Sequence, residues 1–260
     1  MTEVLVKETV KVGNGAGVVL PRRWYGGKVR VELIEKPISI KHDVLEILDD
    51  YLDKILGVYL VGSYARGEQT ERSDVDILVI TDGIDKIIKK GKYEIIMVSK
   101  ENVENSLKDN ILPLLPMVRE ASTLINRELI KNYINTSLTR KNLSFHIETT
   151  KSALKVVMGL IGLSEDLESG ASEGILYSLG LRLRETYIVE CLMRKKSYSN
   201  KEFITLVKKL TGSRKLYDSY LESKDKVKIK NFVSVSEARI VYDYILKKLK
   251  EQEKWIRKRG

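Results

Sequence analysis

The chain has 260 residues and a formal net charge of +10 at pH 7, and 43% of its residues are hydrophobic. This composition excludes a wholly disordered chain, and no apolar run reaches the roughly 20 residues that span a bilayer. Cys191 is the only cysteine, which excludes an intramolecular disulfide and a Cys-X-X-Cys metal site. We therefore expect a cytoplasmic protein without a membrane partner. The positive charge suits a nucleic acid or a phosphate-rich ligand, and equally a lysine-rich solvated surface.

Residues 3–36 predict a small β-rich module. EVLVKETVKV alternates apolar and polar residues, GNGAG predicts a turn, GVVLP a short strand and KVRVELIE another alternating strand. The glycines at 13, 15 and 17 do not form a dinucleotide fingerprint, because a Val-Val-Leu strand follows them instead of a helix. We expect a hairpin turn here.

The next segment predicts a compact α/β block. Apolar residues from His42 to Leu56 recur with the spacing of an amphipathic helix. GVYLVGS, VDILVIT and KYEIIMVS predict strands, while IDKIIKKG (84–91) predicts a short helix between the last two. After Lys100 helical periodicity dominates, most clearly in 149–163, 172–195, 199–210 and 235–257.

The predicted class is α+β, with three parts. A small N-terminal β-module occupies 1–38, an α/β core with a mixed sheet occupies 39–108, and a C-terminal helical bundle occupies 109–260.

The most informative stretch is GSYARGEQTERSDVDILV, residues 62–79. Asp74 and Asp76 are two positions apart at the start of a predicted strand, so their side chains project to the same face. They repel each other unless a cation lies between them. Mg²⁺ binds through one or two carboxylates together with substrate phosphates. Gly62 permits a tight turn, and Ser63 and the backbone N–H groups of that turn suit a phosphate.

A third carboxylate from a neighbouring strand would complete such a metal site. Glu94 is the only acidic residue within the strand KYEIIMVS. Two metal ions held by these acids could steady the attacking and leaving oxygens of an in-line displacement. We therefore predict Asp74, Asp76 and Glu94 as catalytic residues and metal ligands, with Mg²⁺ as the cofactor and Mn²⁺ as a substitute.

The pattern Gly-Ser-(x2)-Arg-Gly-(x5)-Ser-Asp-x-Asp resembles the signature of the DNA polymerase β-like nucleotidyltransferases, in particular the minimal nucleotidyltransferase branch. The resemblance covers roughly 42–100. The matching residues are Gly62, Ser63, Arg66, Gly67, Ser73, Asp74 and Asp76.

The resemblance implies transfer of a nucleoside monophosphate from a nucleoside triphosphate to an acceptor, with release of pyrophosphate. It implies a nucleotide-binding set of Gly62, Ser63, Arg66 and Ser73, and a third acid that helps to activate the acceptor. The family often has Asp at that third position, so Glu94 is a departure. For Arg66, a salt bridge that orients the turn is an equal alternative to a phosphate contact.

The segment VKVGNGAGVVLPRRWYGGKVRVELIE is similar to the swapped-hairpin, AbrB-like family of β-modules. This resemblance implies a homodimer and DNA binding as a further possibility. The residues available for phosphate contacts are Lys11, Arg22, Arg23, Lys28 and Arg30. A module that only dimerises fits the sequence as well.

The helical region offers weaker candidates. Glu185 and Glu190 are candidates for a general base, although glutamates on helix surfaces are ordinarily solvated. Arg140 and His146 match the short Arg-x(4–6)-His spacing of HEPN ribonucleases, which is a weak indication of nuclease activity.

We expect an enzyme that moves AMP from ATP, or another nucleotide from its triphosphate, to a hydroxyl of a protein, a small molecule or a nucleic-acid end. The alternative is an antitoxin-like DNA-binding regulator whose nucleotidyltransferase domain only binds nucleotide.

Overall fold

The computed structural model describes residues 3–32, 34, 39–71, 73–224 and 233–258. The chain forms two compact units, Met1–Ser39 and Ile40–Gly260. The predicted end of the N-terminal module, at 36–38, lies outside the described residues, as do positions 33 and 35 of its last predicted strand.

The first unit contains one short antiparallel hairpin. Strands β1 (Val10–Val12) and β2 (Gly15–Gly17) pair around a turn in which Gly13 has φ +55°. A single 3₁₀ turn follows at Arg22–Trp24. The predicted strand at 28–35 is wrong for its described residues, which form no strand. Its alternating pattern needs a neighbouring strand as a hydrogen-bond partner, and β1 and β2 pair only with each other.

The second unit is built on a mixed five-stranded sheet, which confirms the predicted class. The strands are β3 (Ile55–Val61), β4 (Val75–Thr81), β5 (Lys86–Lys90), β6 (Tyr93–Ser99) and β7 (Ser122–Ile125). Their order across the sheet is β5-β6-β4-β3-β7. Strand β4 runs parallel to β6, and every other neighbouring pair is antiparallel.

Two elements of this sheet differ from the sequence-based prediction. The segment 84–91 forms strand β5 and not a helix, because it folds back on β6 through a turn at Gly91, which has φ +59°. Strand β7 lies in a region expected to be helical, and it extends the sheet by pairing with β3.

Ten α-helices are found among the described residues: α1 (Ile40–Ile47), α2 (Gly62–Arg66), α3 (Lys100–Asp109), α4 (Leu115–Glu120), α5 (Arg127–Ile134), α6 (Arg140–Asp166), α7 (Glu173–Met193), α8 (Asn200–Thr211), α9 (Lys215–Lys224) and α10 (Val235–Arg257). Helix α1 is shorter than predicted, since a 3₁₀ turn occupies Asp49–Lys54. The four long helical predictions are confirmed. The predicted bounds of α7, α8 and α10 are correct to within a few residues, whereas α6 begins earlier in the chain than predicted.

Both faces of the sheet are covered. One face packs on Val44 of α1 and on Leu48, the residue that follows this helix. The other face shares a core with the helical region, in which Tyr59 and Leu78 belong to the same cluster as Val189 of α7. The sheet and the helices therefore form one unit, and helices approach the end of β3 where the predicted site lies. Among the described helices, none combines the length and the apolar character that a membrane crossing requires.

Candidate nucleotidyl-transfer site

The predicted phosphate turn follows directly from strand β3. Gly62 has φ +69°, and the short helix α2 that it begins ends at Gly67, which has φ +66°. In strand pairing Val61 lies opposite Asp76, so the turn begins beside the first carboxylate of β4. A Cβ atom at position 62 would overlap the Asp76 carboxylate. Glycine is therefore required at 62 both by the backbone angle and by this close approach.

Two of the three predicted acids lie on adjacent strands, and the third immediately precedes one of them. Asp76 on β4 and Glu94 on β6 are direct partners in the parallel register, which places their side chains on the same face. Asp74 is exposed and lies just before β4 begins. Burial, followed by the negative charges of Glu94, Asp74 and Glu120, raises the pKa of Asp76 to about 6, whereas Lys224 lowers it. The carboxylates are thus close enough to repel one another.

Two lysines moderate this negative charge. Lys89 on β5 lies opposite Glu94 and forms an ion pair with it, with 3.0 Å between Nζ and Oε1. Lys224, at the end of α9, acts on Asp76 through its charge. The site stays negatively charged despite these two lysines, because the pKa of Asp76 remains raised in their presence.

The donor set suits a hard divalent cation. All three side chains offer carboxylate oxygens, and their mutual repulsion is the kind that a bound cation relieves. Within the described ranges, no three His, Cys, Asp or Glu side chains are grouped as ligands of a single ion. Mg²⁺ commonly takes only one or two protein carboxylates and completes its shell with phosphates and water, so the residues fit that cation together with a triphosphate.

The four residues predicted to bind nucleotide have different surroundings. The Ser63 hydroxyl has no hydrogen-bond partner within the described residues and is only partly buried. The Ser73 hydroxyl accepts from the Thr70 N–H at 2.9 Å and closes the loop before Asp74. Arg66 contacts two carboxylates, with 3.0 Å from Nε to Glu68 and 2.6 Å from Nη1 to Glu120. The Gly62 N–H donates to Glu120 Oε1 at 2.7 Å.

Glu68 and Glu120 are site residues that the sequence did not reveal. Glu120 is 58 residues from the glycine that it contacts. Glu68 accepts a hydrogen bond from Ser199, which is 131 residues away. No local pattern connects these positions.

Known proteins resemble part of this sequence. A family model described as "Nucleotidyltransferase domain" matches residues 42–158. A candidate protein adenylyltransferase of Methanocaldococcus jannaschii, MJ0141, is 35% identical over 95 residues, which are 31% of this chain and 93% of that protein. The chain belongs to the nucleotidyltransferase family. It is therefore a transferase, and the resemblance to an AbrB-like module is not shown by any of these findings.

Two further relatives of this nucleotidyltransferase match over shorter segments. The M. jannaschii candidate protein adenylyltransferases MJ0604 and MJ1379 are 46% and 51% identical over 44 and 47 residues. These segments are 17% and 18% of this chain, which spans 44% of the length of each of the two proteins. The two highest identities among these relatives therefore extend over segments of only 44 and 47 residues.

Solved structures with a related description were also found. A nucleotidyltransferase-like protein from Exiguobacterium sibiricum has a TM-score of 0.38 and 13% identity, over 82% of this chain and 76% of that one. A spectinomycin adenyltransferase from Enterococcus faecialis, solved with ATP and spectinomycin, has a TM-score of 0.39 and 12% identity, over 80% and 97%. At these scores the likeness carries no argument about substrate.

The candidates in the helical region of the nucleotidyltransferase are engaged in packing. His146 is 1% exposed, and its Nε2 lies 3.2 Å from Gln252 Oε1. Glu185 receives a hydrogen bond from Arg182, and Glu190 forms an ion pair with Lys248. A buried imidazole cannot reach an RNA backbone, so this geometry gives the nuclease hypothesis no support.

Proposed function

We propose that this nucleotidyltransferase moves AMP from ATP onto an acceptor hydroxyl and releases pyrophosphate. The observation that carries the proposal is the pairing of Asp76 with Glu94 on adjacent parallel strands, beside a glycine turn that presents Ser63. The acceptor oxygen bonds to the α-phosphorus, and the bond from that phosphorus to the oxygen bridging to the β-phosphate breaks. The acceptor proton passes to a carboxylate, for which Glu94 is the candidate. ATP is favoured as the donor because the relatives are named as adenylyltransferases.

We assign two Mg²⁺ ions, or Mn²⁺ as a substitute, to the acids Asp74, Asp76 and Glu94, so that each ion would take one or two protein carboxylates. A cation held there would neutralise charge on the triphosphate and orient it for in-line attack. The protein contributes by fixing two of the carboxylates in the β4–β6 register, so that little reorganisation is needed when substrate binds. Ser63 offers its hydroxyl to the triphosphate.

A protein hydroxyl is the acceptor that we favour. Three relatives from one organism are named as candidate protein adenylyltransferases. The longest of the three matches covers 93% of the length of MJ0141. A small molecule and a nucleic-acid end are the competing acceptors, and each predicts a different labelled product. No finding favours the DNA-binding regulator over the enzyme.

We also propose that the N-terminal unit forms a homodimer contact. None of its described residues is buried, and Val4, Val6, Val31 and Ile34 are 72–84% exposed. A unit of fewer than about 40 residues rarely folds without a disulfide, a metal or a partner. Replacing Val6 and Val31 together by Lys is expected to convert a dimer of the full chain to a monomer in size-exclusion chromatography with light scattering. A wild-type chain that is monomeric at every concentration would refute this assignment.

Transfer of label from α-³²P ATP in a cell extract tests the function. With Mg²⁺ or Mn²⁺ present, we expect label on protein, and loss of that label in the double variant Asp74→Asn with Asp76→Asn. The matched control is Asp82→Asn, because Asp82 follows the opposite end of β4 and is 72% exposed. Label on RNA or on small solutes would change the acceptor class. Full labelling by the double variant would refute the proposed site.

A further inference from the structure

Glu120 lies where the hydrogen-bonded pairing of β3 with β7 would continue if both strands were longer. Leu60 pairs with Ser122 in that antiparallel register. Continuing the register by two residues places Gly62 opposite Glu120, where the strands have ended. The Glu120 side chain accepts from the Gly62 N–H at 2.7 Å, in place of the backbone carbonyl that a longer ladder would supply.

The backbone that carries Glu120 is held in the core. It is the last residue of α4, in which Leu115 and Val118 are fully buried, and β7 begins two residues later. The side chain itself is only 10% exposed. Glu120 is therefore held in place and fixes the start of the turn through its hydrogen bond with the Gly62 N–H. It is not a mobile carboxylate that a phosphate would displace.

Arg66 connects Glu120 to the helical region. Its guanidinium contacts Glu120 on one side and Glu68 on the other, and it lies 5.1 Å from the centre of the Tyr198 ring. Glu68 in turn accepts from the Ser199 hydroxyl at 2.6 Å and from the Asn200 N–H at 3.0 Å. A continuous set of polar contacts thus runs from the start of α8 to the Gly62 N–H.

The charges in this set argue against a direct role for Arg66 in binding phosphate. One guanidinium lies between two carboxylates, so the group carries a net charge of −1 with both acids ionised. An approaching phosphate would meet net repulsion at Arg66. The arginine is suited to hold the two acids in fixed positions through separate nitrogens.

We propose that Glu120 and Glu68 are positioning residues for ATP binding, which act through Arg66 and the Gly62 N–H to hold Ser63 toward the triphosphate. This inference rests on the proposed nucleotidyl transfer at the same site. It assigns the segment Tyr198–Asn200 of the helical region a part in shaping the nucleotide turn. Loss of either acid leaves the carboxylates of the metal site in place but lets the turn move, so the affinity for nucleotide falls more than the rate of the chemical step.

Titration of the full chain with the non-cleavable analogue α,β-methylene ATP and Mg²⁺, by calorimetry, tests the inference. We expect Glu120→Gln and Arg66→Lys each to weaken binding about tenfold, because each removes charge-assisted hydrogen bonds. Glu120→Gln keeps the Arg66 guanidinium and removes a negative charge beside it, so a direct phosphate contact by Arg66 would instead keep or gain affinity. We expect Ser199→Ala to weaken binding about threefold, and to add nothing in the background of Glu68→Gln.

The matched control is Glu202→Gln. Glu202 also lies on α8 and forms an ion pair, with Lys196, but its exposed side chain has no contact with the turn. In label-transfer assays, KM for ATP should rise in the Glu120 and Arg66 variants, while kcat at saturating ATP stays within about threefold of wild type.

The outcomes separate the two proposals. A wild-type chain that neither binds the analogue nor transfers label would refute the nucleotidyl transfer itself, and the positioning role with it. Normal binding by wild type and unchanged affinity in both Glu120→Gln and Ser199→Ala would refute only the positioning role. A fall in kcat without a change in KM would also refute it. Should Glu120→Gln fail to fold, Ser199→Ala keeps both carboxylates and still decides the question.

Discussion

Replacement of Gly62 by Ala tests the geometry of the turn most directly. Position 62 has φ +69°, and an alanine Cβ there would overlap the Asp76 carboxylate. The left-handed backbone angle alone costs roughly 1–2 kcal/mol for a residue with a Cβ. The overlap adds a second effect, since either the turn or Asp76 must move.

Gly67→Ala provides a matched control within the same turn. Gly67 has φ +66°, so alanine meets the same backbone cost, but its Cβ would have no atom within 4 Å. Both variants should lose about 1–2 kcal/mol of unfolding free energy from the backbone angle. Only Gly62→Ala should also displace Asp76, and a shift on the order of 1 Å at a reacting centre can cost about 100-fold in rate.

Urea unfolding followed by circular dichroism gives the stability of both variants, and label transfer from α-³²P ATP gives their activity. We expect similar stabilities, within about 1 kcal/mol of each other, but an activity of Gly62→Ala about 100-fold below that of Gly67→Ala. Equal activity of the two folded variants would refute the claim that the turn is pressed against Asp76. A loss of activity that merely follows the fraction unfolded would refute it as well.

Three further predictions concern single groups. Burial alone would raise the pKa of Glu68, but hydrogen bonds from Ser199, the Asn200 N–H and Arg66 lower it from 4.5 to about 2. Ionised Glu68 therefore stabilises the folded state above pH 4.5, and this stabilisation is lost as the pH falls from 4.5 toward 2. The urea midpoint of wild type should accordingly fall more steeply between pH 5 and 3 than that of Glu68→Gln. Glu94→Gln should reduce label transfer by about 10²- to 10⁴-fold if Glu94 accepts the acceptor proton, and near-normal transfer would exclude that role. Gln252→Ala leaves the Thr186 carbonyl and His146 without their buried partner, so it should cost about 1–3 kcal/mol in urea unfolding; a smaller loss would show that the two groups find other partners.

The acids of the site were accessible to sequence analysis because their positions follow from local rules. Asp74 and Asp76 are two residues apart where an apolar strand begins, and the alternation of a strand predicts that their side chains project to the same face. Glu94 was found because it is the only acid in the next predicted strand, and the parallel register then sets it opposite Asp76. The roles of these residues remain predictions, although the family is established.

Strand β5 shows where local rules fail. Ile84, Ile87 and Ile88 have the i, i+3, i+4 spacing of a helix, so the sequence pattern favoured one. The segment is a strand because β6 offers it a hydrogen-bonding edge and Gly91 lets the chain reverse. Tertiary pairing outweighed a short periodic signal, whereas the longer signals of α7 and α10 identified those helices.

Glu120 lay beyond the sequence-based prediction for a related reason. Its contact with Gly62 depends on β7 pairing with β3, and β7 is a four-residue strand in a region whose periodicity is otherwise helical. The hydrogen bonds of Glu68 with Ser199 and Asn200 depend on the packing of the start of α8 against the turn. Such contacts follow only from the assembled fold, because each joins positions far apart in the chain.

Glu68 and Asp76, two carboxylates near the turn, differ in how the protein treats their negative charge, and this difference bears on which of them serves the reaction. Glu68 has its charge satisfied by fixed donors of the protein, which lower its pKa to about 2. Asp76 is crowded by Glu94, Asp74 and Glu120 as well as buried, and its pKa rises to about 6. The nearby guanidinium of Arg66 is directed to Glu68 and Glu120 and forms no ion pair with Asp76 within the described residues. An acid that its own protein stabilises as an anion is suited to hold structure, whereas one that the protein leaves crowded is suited to bind a cation brought by the substrate. This contrast, more than the Asp-x-Asp spacing by itself, distinguishes Asp76, a proposed metal ligand, from Glu68, a proposed positioning acid.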